Sequence, residues 1–483
     1  MSRSALFLAW VRREIWRTAL TRAFILLAIP LGIVIGSITP PGQVDDEPTH
    51  MCRALALLHG AITGKREPEI TPDGRLIVIS GVMVDPAIVE ASFGPVTPRT
   101  LANFATKSTM RWTRHQMFLK VNPVSFYFPV FYVPSAIGLG VSRLVGLRPF
   151  QAVYAGRFVA FLYYAIAGLL ALMLARRGQA MIFLALSMPM ALAIGASCNP
   201  DGPLLATTTV GAALFSRGAR KWGALCMGLV ILVKPPYALL ALPLLMPLPP
   251  VRAWLTARMM LFKRLAMVAI TVLPGIVWFI YGMRAVSAPT EWPVYHPGPL
   301  WPGNPAALFH ATNPTEQLRS VVAHPITFLL MVWSYFVPGP QLYWLAKSTV
   351  GILGWLQILL PPTIYKMWLL GAAGAVIADM VTQTDTAPTL KDSAVLLAGI
   401  VITIVAIWLS QYLNWSLVGN ARIDGPSGRY LLPLIPLAGL ALPSFVFPHA
   451  NLLRRVATAL PILASFGTLL LLPRWLAMQF YLN

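Results

Sequence analysis

Apolar residues in this chain gather into long blocks separated by short basic or proline- and glycine-rich breaks. A bilayer-spanning helix needs about 20 mainly apolar residues, with roughly 17–25 tolerated. Blocks at 23–39, 152–174, 180–196, 202–215, 222–233, 236–248, 265–283, 363–381, 393–412, 430–447 and 456–472 predict about eleven spans. Those at 202–215, 222–233 and 236–248 are short for a crossing. Pro235 and Pro236 split a run long enough for two.

Two long stretches interrupt the pattern, 40–151 and 284–362. The first predicts an amphipathic helix over 47–62, where Met51, Leu55, Leu58 and Ile62 recur at helical spacing. A strand is expected at Leu76–Val84, between Asp73-Gly74 and Asp85-Pro86. The apolar and aromatic part at 126–144, punctuated by Pro129 and Pro134, reads as lying along the membrane surface. In the second stretch, rich in Pro and Trp, 325–345 suits a re-entrant or interfacial helix. The resulting division is a basic N-terminus (1–22), a first span (23–39), a large outer loop (40–151), spans two to seven (152–283), a second outer segment (284–362) and C-terminal spans (363–483).

Composition agrees with this pattern. Hydrophobic residues make up 57% and charged residues 11%, against about 25% charged in ordinary soluble domains. So much apolar surface cannot be enclosed by a soluble globule, and the fold class is an all-α polytopic membrane protein. No repeat or low-complexity tract is evident, and the first block lacks a small-residue cleavage site, so it reads as a retained span. With the N-terminus inside, seventeen Lys and Arg residues fall in inner segments, among them Arg17, Arg176, Arg177, Arg217 and Arg454. The short outer segments hold four, Lys234, Arg422, Arg429 and Arg474. This positive-inside asymmetry sets both long stretches outside. It explains most of the +21 net charge as topology and anionic-lipid contact rather than nucleic-acid binding.

Candidate chemistry crowds the outer boundary. Asp45-Asp46-Glu47-Pro48-Thr49-His50 follows the first span directly. A helix start explains one acid there, with Asp46 as N-cap and Pro48 in the first turn, but not three. A carboxylate at this level suits a general base towards an acceptor hydroxyl or a divalent-cation ligand. Asp201 sits in a Pro-Asp-Gly turn on the same side, and read alone it is a turn residue. Lys234, Arg429 with Tyr430, and Arg157 near the start of the second span are outer-face cations suited to phosphate. Any metal would fall to Asp45, Asp46 and Asp201, because the seven histidines show no metal spacing. Cys52, Cys198 and Cys226 give no disulfide framework, although a Cys52–Cys198 bridge is geometrically open. Gly138, Gly140 and Gly146 suit close helix contacts. Trp292, Tyr295, Trp301, Trp333, Tyr335, Trp344 and Trp355 suit an aromatic belt, with a minority free to stack on a sugar.

The order of these features resembles the membrane glycosyltransferases of the GT-C superfamily, such as protein O-mannosyltransferases and aminoarabinose transferases. More specifically, it is similar to a bacterial family catalogued as domain of unknown function 2142. The matching pieces are Asp46–His50, the Tyr127–Gly138 stretch with Tyr132, Arg157, Asn199–Asp201, Lys234–Tyr237, Gly354-Trp355-Leu356 with Pro361-Pro362, and Gly428–Pro433. The resemblance implies a GT-C-like bundle in the bacterial inner membrane with a periplasmic active site. It implies a polyprenyl-phosphate-linked sugar as donor, a glycan, lipid or protein acceptor, and inversion at the anomeric carbon. No organic cofactor is implied. Asp46, or Asp45 next to it, would act as base or orient the acceptor, with Glu47 beside them. Asp201 would be the second acid, and Lys234, Arg429, Tyr430 and Arg157 would hold the donor phosphate. His50, Tyr127, Tyr132 and Tyr237 would contact donor or acceptor. Two departures stand out: Asp45 replaces a proline common before the Asp-Glu pair, and Gln357-Ile358 replaces an Asp-Thr pair after Gly-Trp-Leu. The competing readings are a flippase of lipid-linked glycans, which expects mid-membrane charges and repeats, and an inactive scaffold subunit.

Overall fold

A computed structural model describes residues 13–482 apart from 15, 71–73, 75, 95, 97–99, 114, 123, 247–256, 291–311, 382–387 and 446–448. Trp292, Tyr295 and Trp301 therefore lie outside the described residues. The first apolar block forms α1 (Ala19–Ile38), and the Thr18 hydroxyl accepts from the Thr21 N–H at its start. After a turn, α2 (Glu47–Leu57) begins at the acidic motif. It is shorter than expected and not amphipathic. Residues Met51–Ala56 are all buried, while Leu58 and Ile62 lie past its end at 41% and 60% exposure. The reason is enclosure: α2 packs against strand, turn and helix together, so no face is left for solvent.

The strand expected at Leu76–Val84 forms as β2, the centre of an antiparallel sheet between β1 (Lys65–Ile70) and β3 (Met117–Lys120). β1 carries Lys, Arg, two Glu and Pro, which suit an edge strand and mask its β character in sequence. Pro129–Tyr132 makes a 3-10 turn into α3 (Val133–Leu144), which packs on α4 (Pro149–Leu174). Gly138 permits that approach, because a Cβ there would overlap the Ala155 carbonyl. Gly146 instead closes α3 in the left-handed region, at φ +78°, where a Cβ would meet open space among the described residues. Val133, Ile137 and Val141, four residues apart, face outward from α3.

The block at 180–196 is not one helix. It breaks at Met188, held extended by Pro189, into Gln179–Ser187 and Pro189–Gly195, with residues 180–195 wholly buried. Next come α5 (Asp201–Ser216), α6 (Arg220–Val233) and a 3-10 segment, Pro235–Leu244, whose prolines deny it the expected α-helical span. The later helices are α7 (Ala257–Ala285), α8 (Pro362–Met380), α9 (Leu390–Trp415) and α10 (Ala450–Ala477). The expected re-entrant stretch is two helices, Pro325–Trp333 and Pro340–Val350. The block at 430–447 is a 3-10 turn, Gly428–Leu434, followed by a short helix, Ile435–Ala441.

Five helices among the described residues are long and apolar enough to cross a bilayer: α1, α4, α7, α9 and α10 with its continuation to Leu482. The chain is thus a helical, multi-pass membrane protein, but the structure does not support eleven spans. Proline breaks and burial within protein explain the shortfall, since interrupted backbone is tolerated where protein rather than lipid surrounds it. Arg17 and Arg217 cap the carbonyls of Met173–Ala175 at the C-terminal end of α4. Arg157 lies about 25 Å away along the same helix, at ~1.5 Å per residue. Basic and acidic clusters therefore occupy opposite ends of the bundle. Of the belt candidates, Trp333 is exposed, but Tyr335 and Trp344 are buried, hydrogen-bonded to the carbonyls of Ile423 and Pro426. All three cysteine thiols are free.

Candidate functional site

The acidic motif separates into two roles. Glu47 points inward and is fully buried, forked by Arg157 (Nε–Oε1 2.7 Å, Nη2–Oε2 2.5 Å). It also accepts from the backbone N–H groups of Gly42 and Cys198 at 3.0 and 3.1 Å. Arg157 completes its valence on the carbonyls of Gly36, Thr39 and Pro40. Every polar atom of this pair is engaged by protein. Glu47 therefore has no oxygen left over for chemistry, and Arg157 no nitrogen left over for a phosphate. Together they pin the end of α1, the start of α2, α4 and the turn before α5.

Asp45 and Asp46 face the other way. Asp46 is left-handed (φ 61°) and its carboxylate makes no N-cap bond, so the expected capping role is absent. Such a backbone costs on the order of 1 kcal/mol and turns the side chain towards Arg429, which donates to it through Nη2. Asp45 lies 2.9 Å from Arg429 Nη1, and Asp201 Oδ2 is 4.0 Å from Nε. Asp201 Oδ1 accepts from Lys234 Nζ at 2.5 Å. Lys234 lies over the Tyr430 ring at 5.1 Å and the Tyr127 ring at 5.9 Å. Tyr430 accepts at its hydroxyl from Arg429 (3.0 Å), and its carbonyl accepts from the Tyr237 hydroxyl (2.8 Å). His50 and Tyr132 bond to each other at 2.8 Å behind this cluster, with Tyr127 stacked beside His50.

Local structure explains the convergence. Arg429 starts the 3-10 turn after Gly428, whose N–H donates to Ser348 and whose missing Cβ would overlap the Thr349 backbone. Asp201 opens α5, its N–H held by Asn199 Oδ1 at 2.9 Å. Lys234 ends α6, where Pro235 forbids another turn. Asp46 is the most accessible of the three carboxylates, with 33% of its side chain exposed against 14% for Asp45 and 9% for Asp201.

Charge balance sets the protonation states. Burial drives the Asp45 carboxyl up to about 7; Arg429 offsets this only in part, and Asp46 and Asp201 add to it. Burial would raise Asp46 too, but Arg429 and His50 together hold it below the usual carboxylate range. Burial pushes the His50 imidazole down to about 4, so it is neutral at neutral pH. Asp45 binds its proton more tightly folded than at its ordinary 3.8. Its stabilising contribution is complete below that value and is lost as pH rises through about 7. Asp45→Asn is expected to flatten this part of the thermal-stability profile in detergent; a profile unchanged between pH 4 and 8 would contradict the assignment.

A cleft opens beside Lys234, Tyr127 and Tyr430, and a smaller pocket is lined by Asp45 with Ile35, Met190 and Ile194. Among the described residues, no three or more His, Cys, Asp or Glu side chains are arranged to hold a metal ion. The acids converge on Arg429 instead of a shared point, a poor fit to a divalent cation.

A family model of predicted membrane proteins, DUF2142, matches residues 29–438. The chain belongs to the DUF2142 family. No curated protein and no solved structure matches it. The DUF2142 match covers every residue of the acid–cation cluster. Three participants in this DUF2142 site were not among the expected site residues. Asn199 donates to the Asp45 carbonyl (3.3 Å) and fixes Asp201. Trp355, read as belt, donates to the Gly42 carbonyl at 2.9 Å. Gln411 lines the cleft. A polar Ser410-Gln411 pair with Asn414 at the end of an apolar span was the available signal for the last.

Proposed function

We propose that this protein is a GT-C-type glycosyltransferase moving a sugar from a polyprenyl phosphate to an acceptor hydroxyl at the periplasmic face of the inner membrane. The observation that carries the reading is the meeting of Asp45, Asp46, Asp201, Lys234 and Arg429, drawn from four separated chain segments, beside an open cleft. The acid end of the bundle opposes the basic end, as positive-inside orientation requires. The outward apolar stripe of α3 suits a helix lying on the membrane, and the 40–151 segment is then the large periplasmic loop.

In the reaction, the acceptor oxygen bonds to the anomeric carbon as the carbon–oxygen bond to phosphate breaks, with its electron pair left on the phosphate oxygen. Lys234 and Arg429 stabilise that growing charge. Both are paired with carboxylates in the resting state, so a bound phosphate competes with Asp201 and Asp46 for them. Loosening Arg429 from Asp46 raises that carboxylate's basicity as the hydroxyl arrives, and Asp46 takes the proton. Asp45 and Asp201 keep Arg429 oriented. A single displacement of this kind inverts the anomeric centre.

The test uses purified protein incubated with lipid-linked sugars and a total envelope extract that supplies the acceptor hydroxyls. Release of free polyprenyl phosphate is expected, falling about 10²-fold or more in Lys234→Gln, as for loss of one preorganised charge-stabilising group. No release by the parent protein would defeat the reading.

A further inference from the structure

We infer that the cleft beside Lys234 is the sugar-reading subsite, with Gln411 and Asn414 as its specificity-determining residues; this rests on the transfer reaction proposed above. A lipid-linked sugar has two parts to house, a hydroxyl-rich ring and an apolar tail. The cleft's chemistry decides between them. Lys234 and Tyr430 of the acid–cation cluster line the cleft, so a ring there adjoins the phosphate position.

Gln411 and Asn414 lie three residues apart on one face of α9 and both line the cleft. The Gln411 Oε1 is buried and has no hydrogen-bond partner among the described residues. That is a costly arrangement unless a ligand completes it. Gly425, left-handed at φ +94°, leaves the room this amide occupies, since a Cβ there would lie 2.6 Å from Oε1. Asn414 donates to the Ser410 carbonyl at 2.8 Å, which orients its amide and leaves its oxygen for a ligand hydroxyl. The rings of Tyr127, Phe279 and Trp415 supply apolar faces. Amide groups next to aromatic faces match the alternating hydroxyl and C–H surfaces of a pyranose. An isoprenoid tail would leave the Gln411 Oε1 without a partner.

The test uses the full chain in lipid nanodiscs and measures binding of citronellyl phosphate and of citronellyl phosphates carrying glucose, mannose, galactose or N-acetylglucosamine. At least one glycosylated probe is expected to bind more tightly than bare citronellyl phosphate. Gln411→Leu and Asn414→Leu should each remove roughly three- to tenfold of that gain, the loss of one neutral hydrogen bond. Bare phosphate binding should stay within about twofold in both, which also certifies folding, because each variant then sheds only the hydroxyl contact. The inference is overturned if no sugar adds affinity, if both variants keep the full gain, or if they weaken bare phosphate equally. Failure of Lys234→Gln to weaken bare citronellyl phosphate would instead strike the underlying reaction, a separate outcome.

Discussion

Asp46→Asn should lower sugar transfer by about 10²–10⁴-fold, the contribution of a positioned general base, while the protein inserts and unfolds like the parent. The reasoning is geometric. Asp46 is the most exposed acid of the cluster, and Asp45 and Asp201 also lie beside its partner Arg429, at 2.9 and 4.0 Å. An amide oxygen can still accept from Arg429, so the local structure survives; what disappears is the site for the acceptor proton. Lipid-phosphate binding should hold or tighten, because Arg429 loses a competing carboxylate, which separates a chemical loss from a binding loss. Steady-state transfer measured alongside citronellyl phosphate affinity checks both. Parent-like turnover would remove Asp46 from the chemistry and shift attention to Asp45.

The second large effect falls one residue away and has the opposite character. Glu47→Gln should destabilise the protein by about 3–5 kcal/mol, because it leaves the buried Arg157 guanidinium without its counter-charge. Arg157→Met should do the same by stranding Glu47. The pair joins four segments through hydrogen bonds that water cannot replace, since neither side chain exceeds 3% exposure. Denaturation in detergent reads this as a lower midpoint, accompanied by poor recovery from membranes. A midpoint within error of the parent would contradict the structural role. Adjacent acids thus predict different failures: Asp46 loses turnover with the fold kept, and Glu47 loses the fold itself.

That contrast shows what was legible in the sequence. The Asp45-Asp46-Glu47 cluster, Asp201, Lys234 and Arg429 stand out because charges at a membrane boundary are costly, and the structure brings all but Glu47 into one cluster. Which way each side chain points was not readable. The left-handed backbone at Asp46 and the start of α2 send neighbouring carboxylates to opposite sides, and αL geometry at a non-glycine carries no composition signal. Arg157 looked like its fellow cations because sequence does not reveal that Gly36, Thr39 and Pro40 present their carbonyls to it. The strand Leu76–Val84 was readable from its β-branched run, whereas its partners β1 and β3 are too charged or too short. The span count failed in part at α5 and α6, unbroken helices of only 16 and 14 residues, and in part where prolines occur, at Pro189, Pro235 and Pro433. An apolar block there is equally consistent with a crossing helix and with a broken, protein-enclosed segment.

The most direct measurement is a structure of the protein bound to a phosphonate analogue of a polyprenyl-phosphate sugar. The account predicts the phosphorus within about 4 Å of both the Lys234 amine and the Arg429 guanidinium, the reach of charge-assisted contacts, with the anomeric carbon towards Asp46. A phosphonate bound at the Arg17–Arg217 end of the bundle, or one touching neither cation, would contradict it.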